Sequence, residues 1–181
     1  MSDAWLITGI PGAGKSTVAR LLARRLPQAV HIEGDRLQEW IVSGGVWPGQ
    51  EPEEESERQV QLNVRNQCLL ARSFGDGGFV PVLDYVVVSK ARLEAYRRQL
   101  DGLNLHFVVL APGREVAVRR DREREAEHGH AHEPTIAERW AHLEEVMARE
   151  LRGVGLWLDS QAQSADETVD EILRRKEEAR V

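Results

Sequence analysis

Eight residues near the start of the chain limit its fold more than any other feature. Gly9-Ile10-Pro11-Gly12-Ala13-Gly14-Lys15-Ser16 satisfies G-x-x-x-x-G-K-[ST]. Before it lies a short apolar run, Ala4 to Thr8, which suits a buried strand. After it, Val18, Leu21, Leu22 and Leu26 recur at helical spacing until Pro27 stops the pattern. A strand, a glycine-rich turn and a helix in this order form an anion cradle. Gly9, Gly12 and Gly14 let the backbone close into a ring whose N–H groups, with those of Pro11's neighbours and Ala13, point inward at phosphate oxygens. The helix adds the positive end of its dipole. Lys15 reaches the β- and γ-phosphates and Ser16 ligates Mg²⁺. Thr17 either contacts the α-phosphate or steadies the first helical turn. These residues predict binding of a nucleoside triphosphate with Mg²⁺, and do not by themselves separate kinases from GTPases or motor ATPases.

The rest of the chain alternates in the same way. Ala29 to Ile32 predicts a second strand, followed by a helix from Glu33-Gly34-Asp35-Arg36 with Leu37, Trp40 and Ile41 on one face. Ser43 to Gln50, with three glycines and Pro48, predicts a loop. The acidic stretch Glu51 to Glu57 opens a helix with Val60, Val64, Cys68 and Ala71 on one side. Phe79 to Val88 is almost continuously apolar, as in a strand covered on both faces, and contains Asp84. Ser89 caps a helix carrying Leu93, Tyr96 and Leu100. Leu105 to Leu110 predicts a strand, Gly113 to about Glu127 a charged helix, and Pro134 to Leu151 a helix with Ile136, Trp140, Leu143 and Met147 inward. Gly155 to Leu158 and Glu167 to about Glu178 add a last strand and helix. The fold expected is α/β: a three-layer α/β/α arrangement with about five parallel strands, the first at the centre.

Composition narrows the setting. The 181 residues and 41% hydrophobic content fit one domain over residues 1–181. No apolar stretch approaches membrane-spanning length, and Met1-Ser2-Asp3 has no positive region of a leader. Cys68 is the only cysteine, so no intramolecular disulfide forms; a reducing, cytoplasmic location is expected. A net charge of −6 argues against a nucleic-acid partner. The sequence carries no signal of oligomeric state.

A GTPase needs a guanine-reading N-K-x-D segment, which is missing, and a motor ATPase needs a larger domain with further motifs. Small kinases remain. The loop Gly9 to Thr17, the segment His31 to Arg36, Arg120 and Arg124 after Val109-Leu110-Ala111-Pro112, and Trp157-Leu158-Asp159-Ser160 with Ala165 to Val169 resemble P-loop small-molecule kinases of the nucleotide-kinase-like group. Chloramphenicol phosphotransferases, gluconate kinases and adenylylsulfate kinases share this pattern. The resemblance implies an acceptor-binding helical region about 36–74, a lid about 114–135, and Ser160 on the adenine side. It implies transfer of the γ-phosphate of ATP to a hydroxyl of a small molecule: a sugar acid, an antibiotic or a nucleoside-like compound.

Several side chains admit two readings. Asp35, just past a strand end in the ligand crevice, either orients and deprotonates the acceptor hydroxyl or caps the helix starting at Arg36 or Leu37. Arg36 either holds an anionic acceptor or lies on the surface; Trp40 is either core or acceptor-pocket wall. Asp84 serves Mg²⁺ or the acceptor, or is a strand-end acid paired with backbone or arginine. Arg120 and Arg124, four apart, belong either to a catalytic lid that neutralises phosphoryl charge, affecting rate more than stability, or to a solvated helix. His128, His130 and His132 are lid-loop surface, or one of them touches the acceptor. Beside the kinase stand a non-enzymatic ATP-binding switch and a nucleotide or polynucleotide kinase.

Overall fold

The computed structural model describes residues 2–127 and 134–181. Five strands form one parallel sheet in the order β2-β3-β1-β4-β5. They are β1 (Asp3–Thr8), β2 (Ala29–Glu33), β3 (Val80–Asp84), β4 (Asn104–Leu110) and β5 (Leu156–Leu158). β1 is central, paired with β3 through Trp5–Val82 and Ile7–Asp84 and with β4 along its whole length. Trp5, Leu6, Ile7, Leu83, Phe107 and Val108 are all at most 1% exposed. That explains their continuous apolarity, because helices cover both faces of the sheet. Helix α1 (Lys15–Arg25) follows the glycine loop and packs with α8 (Ala165–Arg174); α3 (Glu53–Asp76) packs with α4 (Lys90–Gln99).

The strand order decides where a ligand binds. From β1 the chain crosses by α1 to β2 on one side, and from β3 it crosses by α4 to β4 on the other. The loops leaving β1 and β3 therefore diverge, opening a crevice at the carboxyl ends of the two neighbouring strands. Tyr85 N–H donates to Ile7 O at 3.2 Å and Val87 N–H to Thr8 Oγ1 at 2.8 Å, stitching the two strand exits together below it.

Three expected elements differ. The strand expected to reach Val88 stops at Asp84, and residues 85–88 turn along the crevice. The helix expected over 134–151 divides into α6 (Ile136–Trp140) and α7 (Leu143–Glu150), with Ile136 45% exposed. Thr135 caps α6 in a capping box with Glu138, and Ala137 N–H is drawn to Asp121 Oδ2 at 2.8 Å, so the short helix is aimed by α5 (Arg114–Glu127) instead of continuing into α7. The helix after β2, α2 (Gly34–Glu39), ends before Trp40, which is 70% exposed and no part of the core. At the carboxyl end α8 gives way to a 3₁₀ turn, Lys176–Ala179.

Helix α3 buries two stripes. The expected one, Val64, Cys68 and Ala71, faces the sheet; burial pushes the Cys68 thiol up to about 12, so it is no nucleophile at neutral pH. The second stripe is polar: Ser56, Gln59, Asn63 and Gln67, each at most 4% exposed. Tyr96 O–H donates to Gln67 Oε1 at 2.8 Å, Gln67 Nε2 to Asn63 Oδ1 at 2.7 Å, and Asn63 Nδ2 to Gly34 O at 2.8 Å. Gln59 Oε1 accepts from Gln38 Nε2 at 2.9 Å and from Val46 N–H at 2.8 Å, while its Nε2 donates to Gly44 O at 2.8 Å. This amide ladder, in two groups, fixes α2 and the loop 41–50 against α3. Tyr96→Phe leaves Gln67 Oε1 without its donor; the expected loss is about 1–3 kcal/mol. It is checked by a lower denaturant midpoint at unchanged slope.

Candidate active site

The glycine loop closes over the carboxyl end of β1 as its sequence requires. Gly12 and Gly14 adopt φ of 80° and 94°, the left-handed region open to glycine. A Cβ on Gly12 would stand 2.1 Å from Ala117 O of α5, so the loop and that helix are in direct backbone contact. A Cβ on Gly14 would meet only Arg120 Nη1, at 3.9 Å, which leaves the mouth of the ring open. Lys15, 8% exposed, donates from Nζ to Ile10 O at 3.3 Å, folded back onto its own loop. Burial holds its ammonium below the usual lysine range, against the pull of Asp35 and Asp84.

Two carboxylates face this lysine. Asp84, the last residue of β3 and 4% exposed, accepts from Ser16 Oγ at 3.0 Å through Oδ1 and pairs with His31 Nε2 through Oδ2. Its partners are the glycine loop's own serine and a histidine, so the reading of Asp84 as an acid paired with backbone or arginine falls away. Asp35 stands inside α2, whose N-cap is Glu33, and makes no capping bond; the capping reading falls away too. Its side chain opens to solvent, yet protein atoms crowd it from below and beside. Desolvation raises its carboxyl above the usual range, outweighing the attraction of Lys15, and nearby Asp84 adds to the rise. Gly34 just before it has no room for a side chain: a Cβ would lie 2.4 Å from Tyr85 Cδ2 and 2.6 Å from Gln67 Nε2. Asp35 thus rides on a helix start wedged between a tyrosine ring and the amide ladder.

Arg120 and Arg124 share the face of α5 that overlooks the loop, but their surroundings differ. Arg120 Nη2 donates to Ser160 O at 3.1 Å, joining α5 to the segment after β5. Arg124 forms an ion pair with Asp121, which is fully buried and also accepts from Ala137 N–H. Arg124 is therefore tied, through Asp121, to the α5–α6 joint. Its charge still lies close enough to Lys15 to oppose that ammonium. Arg36, 67% exposed, pairs with Glu39 at 2.8 Å and Glu33 at 3.9 Å on the surface, and Trp40 stands outside the charged cluster. Neither joins Lys15, Asp35 and Asp84. His128, His130 and His132 lie outside the described residues. The signal that sequence reasoning missed is the buried amide ladder, together with His31, which appeared only as a letter in the Asp35 segment.

The residues fit a bound nucleotide and Mg²⁺. Ser160 is 3% exposed and its hydroxyl has no hydrogen-bond partner among the described residues, a buried polar atom beside Arg120 on the side expected for the base. Ser16 and Asp84 juxtapose a hydroxyl and a carboxylate oxygen, the hard donors Mg²⁺ takes through itself or its waters.

Residues 6–141 match the AAA domain family. The chain belongs to that family. The matched span includes Lys15, Asp35, Asp84, Arg120 and Arg124, while Ser160 lies beyond it. Over 55 residues, 30% of this chain, it is 40% identical to a UPF0200 protein of Aeropyrum pernix; the match spans 29% of that protein's length. An APS kinase of Mycobacterium tuberculosis, in complex with AMPPNP and APS, superposes with a TM-score of 0.68 at 20% identity, covering 97% of this chain and 98% of that one. A gluconokinase of Sinorhizobium meliloti 1021 gives a TM-score of 0.63 at 20% identity, covering 95% and 90%. The AAA domain chain thus has the fold of P-loop kinases, as expected from the resemblance along its length. Among the described residues no helix is long and apolar enough to cross a membrane.

Lys15→Ala removes the one ammonium aimed into the ring and relieves a buried charge. Its melting temperature should hold while affinity for ATP falls about 10- to 100-fold, from about 1.5–3 kcal/mol for contacts to charged groups. Calorimetric titration with ATP checks this; unchanged affinity would refute the phosphate assignment.

Proposed function

We propose that the protein is an ATP-dependent phosphotransferase that moves the γ-phosphoryl group to a hydroxyl of a small molecule: a sugar acid, an antibiotic or a nucleoside-like compound. The observation that carries this reading is the placement of Asp35. It faces Lys15 at the mouth of the glycine loop, is open to solvent, and has no hydrogen-bond partner among the described residues. A nucleotide-sensing switch has no use for a carboxylate held there at an electrostatic cost. A kinase does.

In this reading the ring of backbone N–H groups and Lys15 bind the β- and γ-phosphates. Ser16 and Asp84 hold Mg²⁺, which when bound neutralises phosphate charge and fixes the phosphoryl group's orientation. Asp35 accepts a hydrogen bond from the acceptor hydroxyl, orients its oxygen toward the γ-phosphorus, and takes its proton as the new P–O bond forms and the bond to ADP breaks. A raised carboxyl affinity for protons suits that role. Arg120 steadies the nucleotide on the Ser160 side, and Arg124 brings positive charge to the phosphoryl end. Loop 41–50, fixed by Gln59 and Gln38, walls the acceptor side. The gluconokinase and APS kinase likenesses support a small acceptor, and the net charge of −6 suits one better than a polynucleotide.

ATP consumption measured against a panel of hydroxyl compounds should rise with at least one of them. ATP binding with no turnover on any acceptor would favour the non-enzymatic switch. With an acceptor in hand, Asp35→Asn should bind ATP normally and lose turnover about 10²-fold, the low end for a general base because the loose transition state keeps the proton until late.

The same variant has a stability signature. Since the folded protein raises the Asp35 carboxyl, it binds that proton more tightly than the unfolded chain does. The resulting cost appears as pH rises from the ordinary carboxylate range through the raised value, and is complete above it. Asp35→Asn should therefore melt no lower than the unaltered protein at neutral pH, and any advantage should vanish in acid. Thermal melts across that range check the sign.

A further inference from the structure

Asp84 must do more than exist at the end of β3 if it is to serve a metal. A carboxylate on a single-bond stem can turn, and it has lone pairs on both oxygens. Here both are committed: Oδ1 to the Ser16 hydroxyl at 3.0 Å and Oδ2 to His31 Nε2. His31 sits in β2 two residues before the strand's end, and the register pairs Glu33 with Asp84, so the His31 and Asp84 side chains emerge on one face of the sheet. The imidazole is itself hemmed in: its side chain is 11% exposed, and Nδ1 lies 3.7 Å from Glu33 Oε1. No other side chain of β2 bonds the Asp84 carboxylate.

We infer that His31 is the positioning residue of the metal site: its imidazole N–H grips one oxygen of Asp84 and keeps the other turned toward Ser16 and the glycine loop. The inference rests on the proposed phosphotransferase reading only through the assignment of Mg²⁺ to Ser16 and Asp84. Outer partners of this kind hold a ligand's rotamer, and their loss commonly weakens metal binding about 10- to 100-fold. A histidine that served packing alone would affect nucleotide binding equally with and without metal.

The test uses ADP and the full chain, and needs no acceptor. ADP affinity is titrated in EDTA and again in excess Mg²⁺ for the unaltered protein, His31→Leu and His31→Gln. Glutamine can present an N–H near the Nε2 position. In EDTA all three should bind ADP alike. Mg²⁺ should tighten binding in the unaltered protein and in His31→Gln, and the gain should shrink about 10- to 100-fold in His31→Leu. Should the leucine variant not fold, His31→Asn, whose donor falls short of Asp84, takes its place with the same expected loss. An undiminished Mg²⁺ gain in His31→Leu overturns the inference and leaves the metal site standing. An equal fall in EDTA and Mg²⁺ also overturns it. No Mg²⁺ gain in the unaltered protein overturns the metal assignment and the inference together.

Discussion

One buried ammonium organises the molecule's crevice. Lys15 starts α1, is almost fully enclosed, and is disfavoured by that enclosure; Asp35 and Asp84 foremost, with Asp121 and the carbonyl Ile10 O, offset the cost. A charge in such a place requires partners, and each partner imposes a demand on another part of the fold. Asp84 must end β3 beside β1, which the parallel register through Ile7 and Asp84 provides. Asp35 must begin a helix at the end of β2, which Gly34 permits by letting Tyr85 and Gln67 close in on the backbone. The strand order, with β1 central and its loop diverging from that of β3, follows from bringing these three elements to one edge.

Around that charge the site is supported unequally on its two sides. The α2 side is rigid: Asn63, held through Gln67 by Tyr96, bonds the backbone of α2, and Gln59 separately bonds Gln38 and the backbone of loop 41–50. Such a ladder fixes one arrangement, since moving any member strands a buried polar group. The α5 side is lighter. Arg120 reaches across to one carbonyl, Ser160 O, and the Ser160 hydroxyl has no partner among the described residues.

What was legible in the sequence was what is local. The strand, glycine loop and helix of residues 4–26 follow from short-range chemistry, and the buried strands announce themselves by continuous apolarity. Asp84 stood out as a charge inside an apolar run, and the resemblance to small kinases singled out Asp35 and the two arginines. Contacts between distant segments were not legible. Ser56, Gln59, Asn63 and Gln67 look like an ordinary polar helix face until α2 and Tyr96 are folded against them. Ile136 keeps helical spacing with Trp140, yet Asp121, fifteen residues earlier, turns α6 away from α7. Arg124 and Arg120 have equal claims by spacing; the buried Asp121 separates their roles. His31 carries no signal of its own, because its importance depends on the Glu33–Asp84 register.

The most direct measurement is a crystal structure of the protein with ADP and Mg²⁺. Expected are a β-phosphate inside the ring of Gly12 and Gly14, Lys15 Nζ swung from Ile10 O onto that phosphate, and the ion beside Ser16 and Asp84, with Asp35 left facing the space beyond. Nucleotide bound elsewhere, with Lys15 still on Ile10 O, would contradict the assignment of this crevice as a phosphoryl-transfer site.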